Sequence, residues 1–198
     1  MYTLHGMTGS GNCYKPALLM TQLEIPYRWQ EVDLLKGGSR TPEFLALNPN
    51  GKVPTLVLPD GRTLAESNAM LCYLAEGTPL LPDERYARAQ VLQWLFFEQY
   101  SHEPYVATVR FWIKFLGKQA EWAEKIAEAR KKGAAALGVM EQQLAKTSFL
   151  AGDCYTIADI ALYAYTHVAH EGGYRLEDYP HLREWLSRVE QQPRFVAM

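Results

Sequence analysis

Residues 52–67 read KVPTLVLPDGRTLAES, a sequence that indicates two short strands around a turn. Two short apolar segments, Thr55–Leu58 and Arg62–Leu64, flank Pro59-Asp60-Gly61, a pattern typical of a β-hairpin with a glycine-containing turn. Pro54 stands where the first strand of the hairpin begins, a position at which proline is tolerated because it need not donate to the ladder. The stretch therefore predicts two antiparallel strands late in a small mixed domain.

Short strands and helices alternate around this hairpin. Asn12 is a residue type that caps helices, and we expect it to start the first helix. The predicted order β-α-β-α-β-β-α is the layout of a thioredoxin-like domain. Besides the hairpin, the predicted elements are a strand over Tyr2–His5, a helix over Cys13–Leu23, a strand over Tyr27–Val32, and helices over Glu43–Leu47 and Glu66–Glu76.

The second half of the chain shows helical periodicity and no strand alternation. We expect a thioredoxin-like domain over residues 1–76, a linker over 77–82 (GTPLLP) and an all-helical domain over 83–198. The fold class is thus α+β followed by all-α. Pro104 is expected to kink the first helix of this half. The predicted helices are Glu84–Lys114, Gln119–Lys146, Ile157–His170 and His181–Gln191.

Composition excludes several functional classes. The chain has 198 residues, 48% apolar and 21% charged, with a net charge of −2, which gives no electrostatic case for binding nucleic acid or an anionic membrane. The three cysteines, Cys13, Cys72 and Cys154, form no CxxC pair and no zinc-type spacing. With no apolar leader at the N-terminus, we expect a cytoplasmic protein.

Ser10 lies between the first strand and the first helix, in Thr8-Gly9-Ser10-Gly11-Asn12-Cys13. A hydroxyl at the positive end of a helix dipole, near free backbone N–H groups, can stabilise an anion. If the anion is a thiolate, such a donor lowers the pKa of the thiol from about 8.5. The alternative is that Ser10 only completes a turn or caps the helix.

Two dipeptides next to the hairpin are suited to a bound peptide. A cis Val53–Pro54 bond would turn the backbone of Val53 outward, whereas a trans proline would only open an edge strand. Glu66-Ser67 begins a helix, where Ser67 can donate to a carboxylate and Glu66 can accept from an ammonium group. Together they suit an α-amino acid head group, although a plain capped helix would look the same.

Two patterns in the helical half are interpreted as structural. Thr156 and Asp159 have the spacing of a capping box, with Asp in place of Glu or Gln. His167, His170 and Glu171 are close in sequence, but a metal site lacks a further ligand there, so we expect no metal.

The motifs resemble the cytosolic glutathione transferase family, bacterial and theta-, phi- or beta-like, over essentially the whole chain. The resemblance implies a homodimeric enzyme that binds glutathione as co-substrate and conjugates it to a small, largely apolar electrophile. A glutathione-dependent disulfide or peroxide reductase, or a non-catalytic binding module on the same fold, are the alternatives. The residues that carry it are Ser10 with Cys13, residues 48–54 (NPNGKVP), Leu64-Ala65-Glu66-Ser67 and Thr156-Ile157-Ala158-Asp159.

Residue roles follow from the same resemblance. Ser10 would hydrogen-bond the glutathione sulfur, in the place where beta-class relatives have a cysteine, and Cys13 is the rival group. Val53, before a cis Pro54, would pair with the cysteinyl backbone, and Tyr105 and Phe111 would line the second-substrate pocket. Glu66 and Ser67 would hold the γ-glutamyl end, and Lys52 would contact the glutathione backbone or the glycyl carboxylate. Ser39 or Arg40 would lie at the glycyl end, where relatives have a His-Lys pair.

Overall fold

A computed structural model describes all residues from Met1 to Met198, and it divides into two compact units. The N-terminal unit contains Met1–Thr78 together with Pro193–Met198, and the helical unit contains Pro79–Gln192. The boundary between Thr78 and Pro79 falls inside the segment 77–82 that was expected as a linker. The predicted fold class is confirmed: one unit contains a four-stranded mixed sheet with helices, and the other is built from helices, with no strand after β4 (Thr63–Ala65).

The sheet of the N-terminal unit has the strand order β2-β1-β3-β4. β1 pairs with β2 in parallel, whereas the pairs β1–β3 and β3–β4 are antiparallel. Leu4 in β1 stands opposite Leu56 in β3, and both side chains are fully buried. The strands are β1 (Tyr2–Gly6), β2 (Tyr27–Glu31), β3 (Thr55–Val57) and β4 (Thr63–Ala65).

Three helices and a short 3₁₀ helix complete this unit. Leu18 and Leu19 of the first helix and Met70 and Leu71 of the third are fully buried, so these two helices supply much of the apolar core. The helices are α1 (Gly11–Gln22), α2 (Pro42–Leu47) and α3 (Ser67–Ala75), and the 3₁₀ helix is Gly38–Arg40.

The last six residues, Pro193–Met198, group with the N-terminal unit, whereas the predicted helical domain 83–198 included them. The buried Tyr14 of α1 donates its hydroxyl to the carbonyl oxygen of Val196 at 2.5 Å. Arg194 pairs with Glu24 at 2.7 Å. These contacts join positions far apart in sequence, and helical periodicity carries no information about them.

The first long helix predicted for the helical unit changes its hydrogen bonding twice. The N–H of Glu103 donates to the carbonyl of Glu98, five residues back, which is the π-helical pattern. Pro104, a residue that cannot donate a helical hydrogen bond, follows two residues after this segment ends. The elements are α4 (Arg85–Phe97), a π segment (Glu98–His102), α5 (Glu103–Arg110), a π segment (Phe111–Phe115), α6 (Ala123–Leu144), α7 (Ile157–Thr166), 3₁₀ turns at Ala169–Gly172 and Leu176–Asp178, and α8 (Pro180–Glu190).

Helix α7 forms the centre of this unit, since every one of its residues is buried. The predicted capping box at its N-terminus is confirmed: Thr156 caps the helix, and Asp159 accepts from the Thr156 N–H at 2.9 Å. Asp159 also accepts from the indole N–H of Trp185 at 2.9 Å, so the same carboxylate ties α7 to α8. No helix combines the length and apolar character needed to cross a membrane.

Candidate functional site

The strand register brings three predicted site segments to one end of the sheet. His5, near the end of β1, pairs with Thr55 at the start of β3, and Thr55 pairs with Ala65 at the end of β4. The loop leading to Ser10, the dipeptide before β3 and the dipeptide after β4 therefore emerge side by side. Because adjacent strands are about 4.8 Å apart, these segments are within reach of one extended small peptide.

Ser10 caps helix α1 with an extended backbone conformation, φ −84° and ψ 120°. Its hydroxyl oxygen accepts a hydrogen bond from the Cys13 N–H at 3.4 Å. The prediction that Asn12 caps this helix is wrong, because the helix begins at Gly11 and the capping geometry belongs to Ser10. The partly exposed hydroxyl thus lies at the positive end of a twelve-residue helix, where an anion is stabilised.

Cys13 has the environment of a structural cysteine. Its side chain is fully buried, and its sulfur accepts from the Met7 N–H at 3.4 Å. Burial raises the pKa of the Cys13 thiol to about 11, against the opposing hydrogen bonds from Ser10 and Met7. The thiol is therefore protonated at neutral pH, and a protonated, buried thiol is a poor nucleophile.

The segment before β3 is held in place by a buried asparagine. The Val53–Pro54 peptide bond is cis. The side-chain amide of Asn48 donates to the carbonyl oxygen of Lys52 at 2.8 Å and to the Thr55 hydroxyl at 3.2 Å. Asn48 therefore fixes both ends of the turn that contains Val53. Its role was not predicted from the sequence, where it appeared only as part of a turn motif.

Glu66 and Ser67 form the junction between β4 and α3. Glu66 is exposed and has a positive φ of 67°, a conformation that costs a non-glycine residue about 1–3 kcal/mol and is concentrated at functional sites. Ser67 is the first residue of α3 and is 4% exposed. Its hydroxyl donates to the side-chain oxygen of Asn12 at 3.3 Å, which links this junction to the start of α1.

A buried lysine completes this cluster. Lys15 of α1 is fully buried, and its ammonium group donates to the Ser67 hydroxyl and to the Asn68 side-chain oxygen, each at 3.4 Å. The sequence analysis did not identify it. The available signal was its position three and four residues before Leu18 and Leu19, which places it on the inward face of an amphipathic helix.

Ser39, Arg40 and Lys52 lie on two neighbouring segments. Ser39 is buried within the 3₁₀ helix, whereas Lys52 is exposed. Arg40 donates from Nη1 to the carbonyl oxygen of Asn50 at 3.3 Å. Gly51 has a positive φ of 62°, and a Cβ there would stand 3.0 Å from the Ser39 carbonyl oxygen, so glycine is favoured at this position. Two cationic side chains thus stand on adjoining loops.

Glu31, at the end of β2, secures the loop before Ser10. Its carboxylate accepts from the Thr8 N–H at 2.9 Å, from the Thr8 hydroxyl at 2.8 Å and from the Trp29 indole at 2.7 Å. Burial alone would raise the pKa of Glu31, but the hydrogen bonds from Thr8 and Trp29 outweigh it and lower the pKa. This anchor was also missed in the sequence, because it joins residues 23 positions apart.

In the helical unit, the two predicted pocket residues make aromatic contacts. Tyr105 packs against the apolar cluster around Val109, and Phe111 stacks on Phe115 with ring centroids 5.6 Å apart. The buried Arg110 pairs with Glu171 at 2.5 Å, so part of its charge is satisfied within the unit.

Comparison with known protein families agrees with this geometry. The model of the glutathione S-transferase N-terminal domain matches residues 9–76, and that of the C-terminal domain matches residues 89–193. The chain belongs to the glutathione S-transferase family. The first match covers the whole segment from Ser10 to the end of α3, in which the candidate site lies.

Individual family members show how close the similarity is. A glutathione S-transferase structure from Pseudomonas fluorescens is 53% identical, with a TM-score of 0.97, and the match covers 99% of this chain and 98% of that one. The disulfide-bond oxidoreductase YfcG of Escherichia coli is 33% identical over 92% of this chain and 87% of its own. A glutathione transferase from Burkholderia graminis, solved with two glutathione molecules per subunit, is 29% identical, with a TM-score of 0.85, over 98% of this chain and 85% of that one.

Proposed function

We propose that the protein is a cytoplasmic glutathione transferase, with glutathione bound at the end of the sheet where Ser10, Val53 and Ser67 converge. The observation that carries the proposal is the Ser10 hydroxyl at the positive end of α1, on the same edge as the Glu66-Ser67 junction. A hydroxyl and a helix dipole at one point both favour a thiolate over a thiol. The glutathione-bound relative from Burkholderia graminis supports the identity of the ligand.

Glutathione binding would use three parts of this edge. The γ-glutamyl carboxylate would accept from the N–H and hydroxyl of Ser67, while its ammonium would donate to Glu66. The cysteinyl backbone would pair with Val53 beside the cis Pro54. The glycyl carboxylate would lie toward the cations Arg40 and Lys52, which attract its negative charge. The buried Ser39 would support this loop. The Ser10 hydroxyl would contact the glutathione sulfur.

The chemistry needs only the thiol, a base from solvent and an electrophile. The glutathione thiol loses its proton to solvent, and Ser10 donates a hydrogen bond to the resulting thiolate, which lowers the thiol pKa. The sulfur then forms a bond to the electrophilic carbon, and the leaving group departs with its electron pair. With 1-chloro-2,4-dinitrobenzene the leaving group is chloride. Binding both reactants to one protein would add the proximity effect.

The second substrate would contact Tyr105 and Phe111, and the protein would act as a homodimer. Both statements extend the family resemblance to this chain. Exposed aromatic side chains four residues apart on one helical segment, Phe96 at 72% and Tyr100 at 84%, support a partner surface on the helical unit. Sedimentation at several protein concentrations tests the dimer.

Replacement of Ser10 by alanine tests the catalytic assignment. We expect Ser10→Ala to lower kcat for 1-chloro-2,4-dinitrobenzene about 25-fold at pH 7, since a thiol whose pKa returns from about 6.5 to the usual value of about 8.5 falls from about three-quarters ionised to about 3% ionised. Glutathione should still bind. Ser10→Gly is the second variant, because glycine is also tolerated as an N-cap and separates loss of the hydroxyl from loss of the cap.

The control is Ser148→Ala, at an exposed serine of the helical unit. Turnover by Ser10→Ala and Ser10→Gly equal to that of the wild type would refute the role of Ser10. If neither the wild type nor the control binds glutathione-agarose, glutathione is not the ligand at all.

A second candidate is a glutathione-dependent disulfide reductase, favoured by the similarity to the oxidoreductase YfcG. In this reaction two glutathione thiols would be oxidised to a disulfide while the substrate disulfide is reduced to two thiols. The buried Cys13, with its raised pKa, gives no support to a protein thiol in the cycle. Parallel assays with 1-chloro-2,4-dinitrobenzene, a model disulfide and a hydroperoxide would separate the activities by their kcat/KM values.

A further inference from the structure

Lys15 is a fully buried cation placed beside the residue proposed to hold the γ-glutamyl carboxylate. Removing an ammonium group from water costs several kcal/mol unless hydrogen bonds compensate for it. Two of the compensating bonds go to Ser67 and Asn68, the first two residues of α3. The charge is thus held at the N-terminus of a nine-residue helix.

The sign of the Lys15 charge indicates which ligand group this helix end attracts. A helix N-terminus carries a positive partial charge, so a cation there is unfavourable for the helix, whereas an anion is favourable. At the start of α3 the ammonium of Lys15 and the dipole of the helix add instead of cancelling. Their combined field attracts a carboxylate more strongly than the helix alone would, and within a protein the attraction is weakened less by water.

The hydrogen bonds around Ser67 form a relay that acts on its hydroxyl group. Lys15 donates to the Ser67 oxygen, and Ser67 donates to the side-chain oxygen of Asn12 at 3.3 Å. A hydroxyl that accepts from a cation is a stronger donor in turn, because hydrogen bonds in a chain polarise one another. When a carboxylate reaches Ser67, the hydroxyl can turn toward it while Lys15 keeps the oxygen in place.

We propose that Lys15 is a positioning and specificity residue, which makes the site select thiol peptides that carry a free α-carboxylate on the γ-glutamyl residue. This inference rests on the proposed function. Lys15 acts through Ser67 and through its charge, whereas Glu66 accepts the ammonium of the same head group. The two residues of opposite charge, one buried and one exposed, match the two charges of an α-amino acid.

The test compares glutathione with 4-aminobutyryl-cysteinyl-glycine, which lacks only that carboxylate. Affinities of both peptides are measured by calorimetry for the wild type, Lys15→Met and Lys15→Gln. The methionine keeps the volume without the charge, and the glutamine keeps an N–H donor for Ser67. Lys146→Met, at an exposed lysine, is the control with the same change of net charge.

We expect both Lys15 variants to bind glutathione about tenfold more weakly than the wild type does, the equivalent of about 1.4 kcal/mol. Their affinity for the shorter peptide should stay within about twofold of the wild-type affinity. At saturating glutathione, kcat for conjugation should stay within about twofold of the wild type, since Ser10 is unchanged. A merely structural role would weaken both peptides equally.

Three results would overturn the inference. Lys15→Met could retain the preference for glutathione, or lose affinity for both peptides alike. Circular dichroism could also show that both neutral variants fail to fold. Lys15 would then be a residue that stabilises the N-terminal unit. None of these three results contradicts the proposed function, which would be refuted instead if the wild type bound neither peptide.

Discussion

Asp159→Asn is the substitution whose cost can be worked out most directly from the structure. The carboxylate of Asp159 is fully buried and accepts four hydrogen bonds. Oδ1 receives the Leu150 N–H at 3.0 Å and the Trp185 indole at 2.9 Å. Oδ2 receives the Thr156 N–H at 2.9 Å and the Thr156 hydroxyl at 3.2 Å. One side chain thus joins the cap of α7 to the preceding loop and to α8.

An asparagine can replace only one of these two oxygens. Its carbonyl oxygen can keep the bonds from Leu150 and Trp185, but its NH₂ group would then face the N–H and hydroxyl of Thr156. The hydroxyl can rotate away, whereas the N–H cannot. A buried donor left without an acceptor costs about 1–3 kcal/mol, and the lost side-chain bond adds about 1 kcal/mol. We therefore expect a loss of about 3 kcal/mol at pH 7.

The assay is urea denaturation of the wild type and the variant at pH 7 and pH 5. Burial raises the pKa of Asp159 to about 6, against its four hydrogen bonds, compared with 3.8 for an unfolded aspartate. Its contribution to stability is therefore largest below pH 3.8 and is lost as the pH rises through 6. On going from pH 7 to pH 5 the wild type should gain about 1.4 kcal/mol relative to Asp159→Asn.

Two matched variants serve as controls. Asp153→Asn makes the same change at an exposed position and should cost less than about 0.5 kcal/mol. Thr156→Ser keeps both donors and the cap, so its cost should stay below that of Asp159→Asn. A cost below about 0.5 kcal/mol for Asp159→Asn, or a difference that shrinks on acidification, would refute this account of the carboxylate.

Two further predictions concern the N-terminal unit. Glu31→Gln removes a carboxylate with a lowered pKa, so the stability that Glu31 provides is present above the usual glutamate pKa of 4.5 and is lost on further acidification. The urea midpoints of wild type and variant should differ at pH 7 and converge at pH 3.5, and an unchanged difference would contradict the role of Glu31. Tyr14→Phe loses the hydroxyl bond to Val196 and should lower the free energy of unfolding by about 1 kcal/mol in the same assay. Tyr86→Phe, at a side chain 70% exposed, is the control and should cause no measurable loss. Equal effects of the two variants would mean that the contact with Val196 contributes no stability.

Much of the fold was predictable because it depends on local patterns. The hairpin around Pro59-Asp60-Gly61 follows from turn chemistry, and it appears as β3 and β4. The capping box of Thr156 and Asp159 involves residues three apart, so the sequence shows it directly. For the cap of α1, Asn12 was expected and Ser10 was weighed as an alternative, because both residue types are good caps; the backbone conformation shows that the cap is Ser10.

Sequence patterns alone were enough to predict the order of the elements and to place Ser10, Val53 and Ser67 at the ends of strands and helices. These follow from periodicity, turns and caps, which act over a few residues. Three contacts are visible only in the folded chain: Lys15 is buried against Ser67, Glu31 anchors the loop before Ser10, and the last residues return to α1. Such contacts depend on how α1 packs against α3 and on strand register, because these bring together residues that are far apart in the sequence.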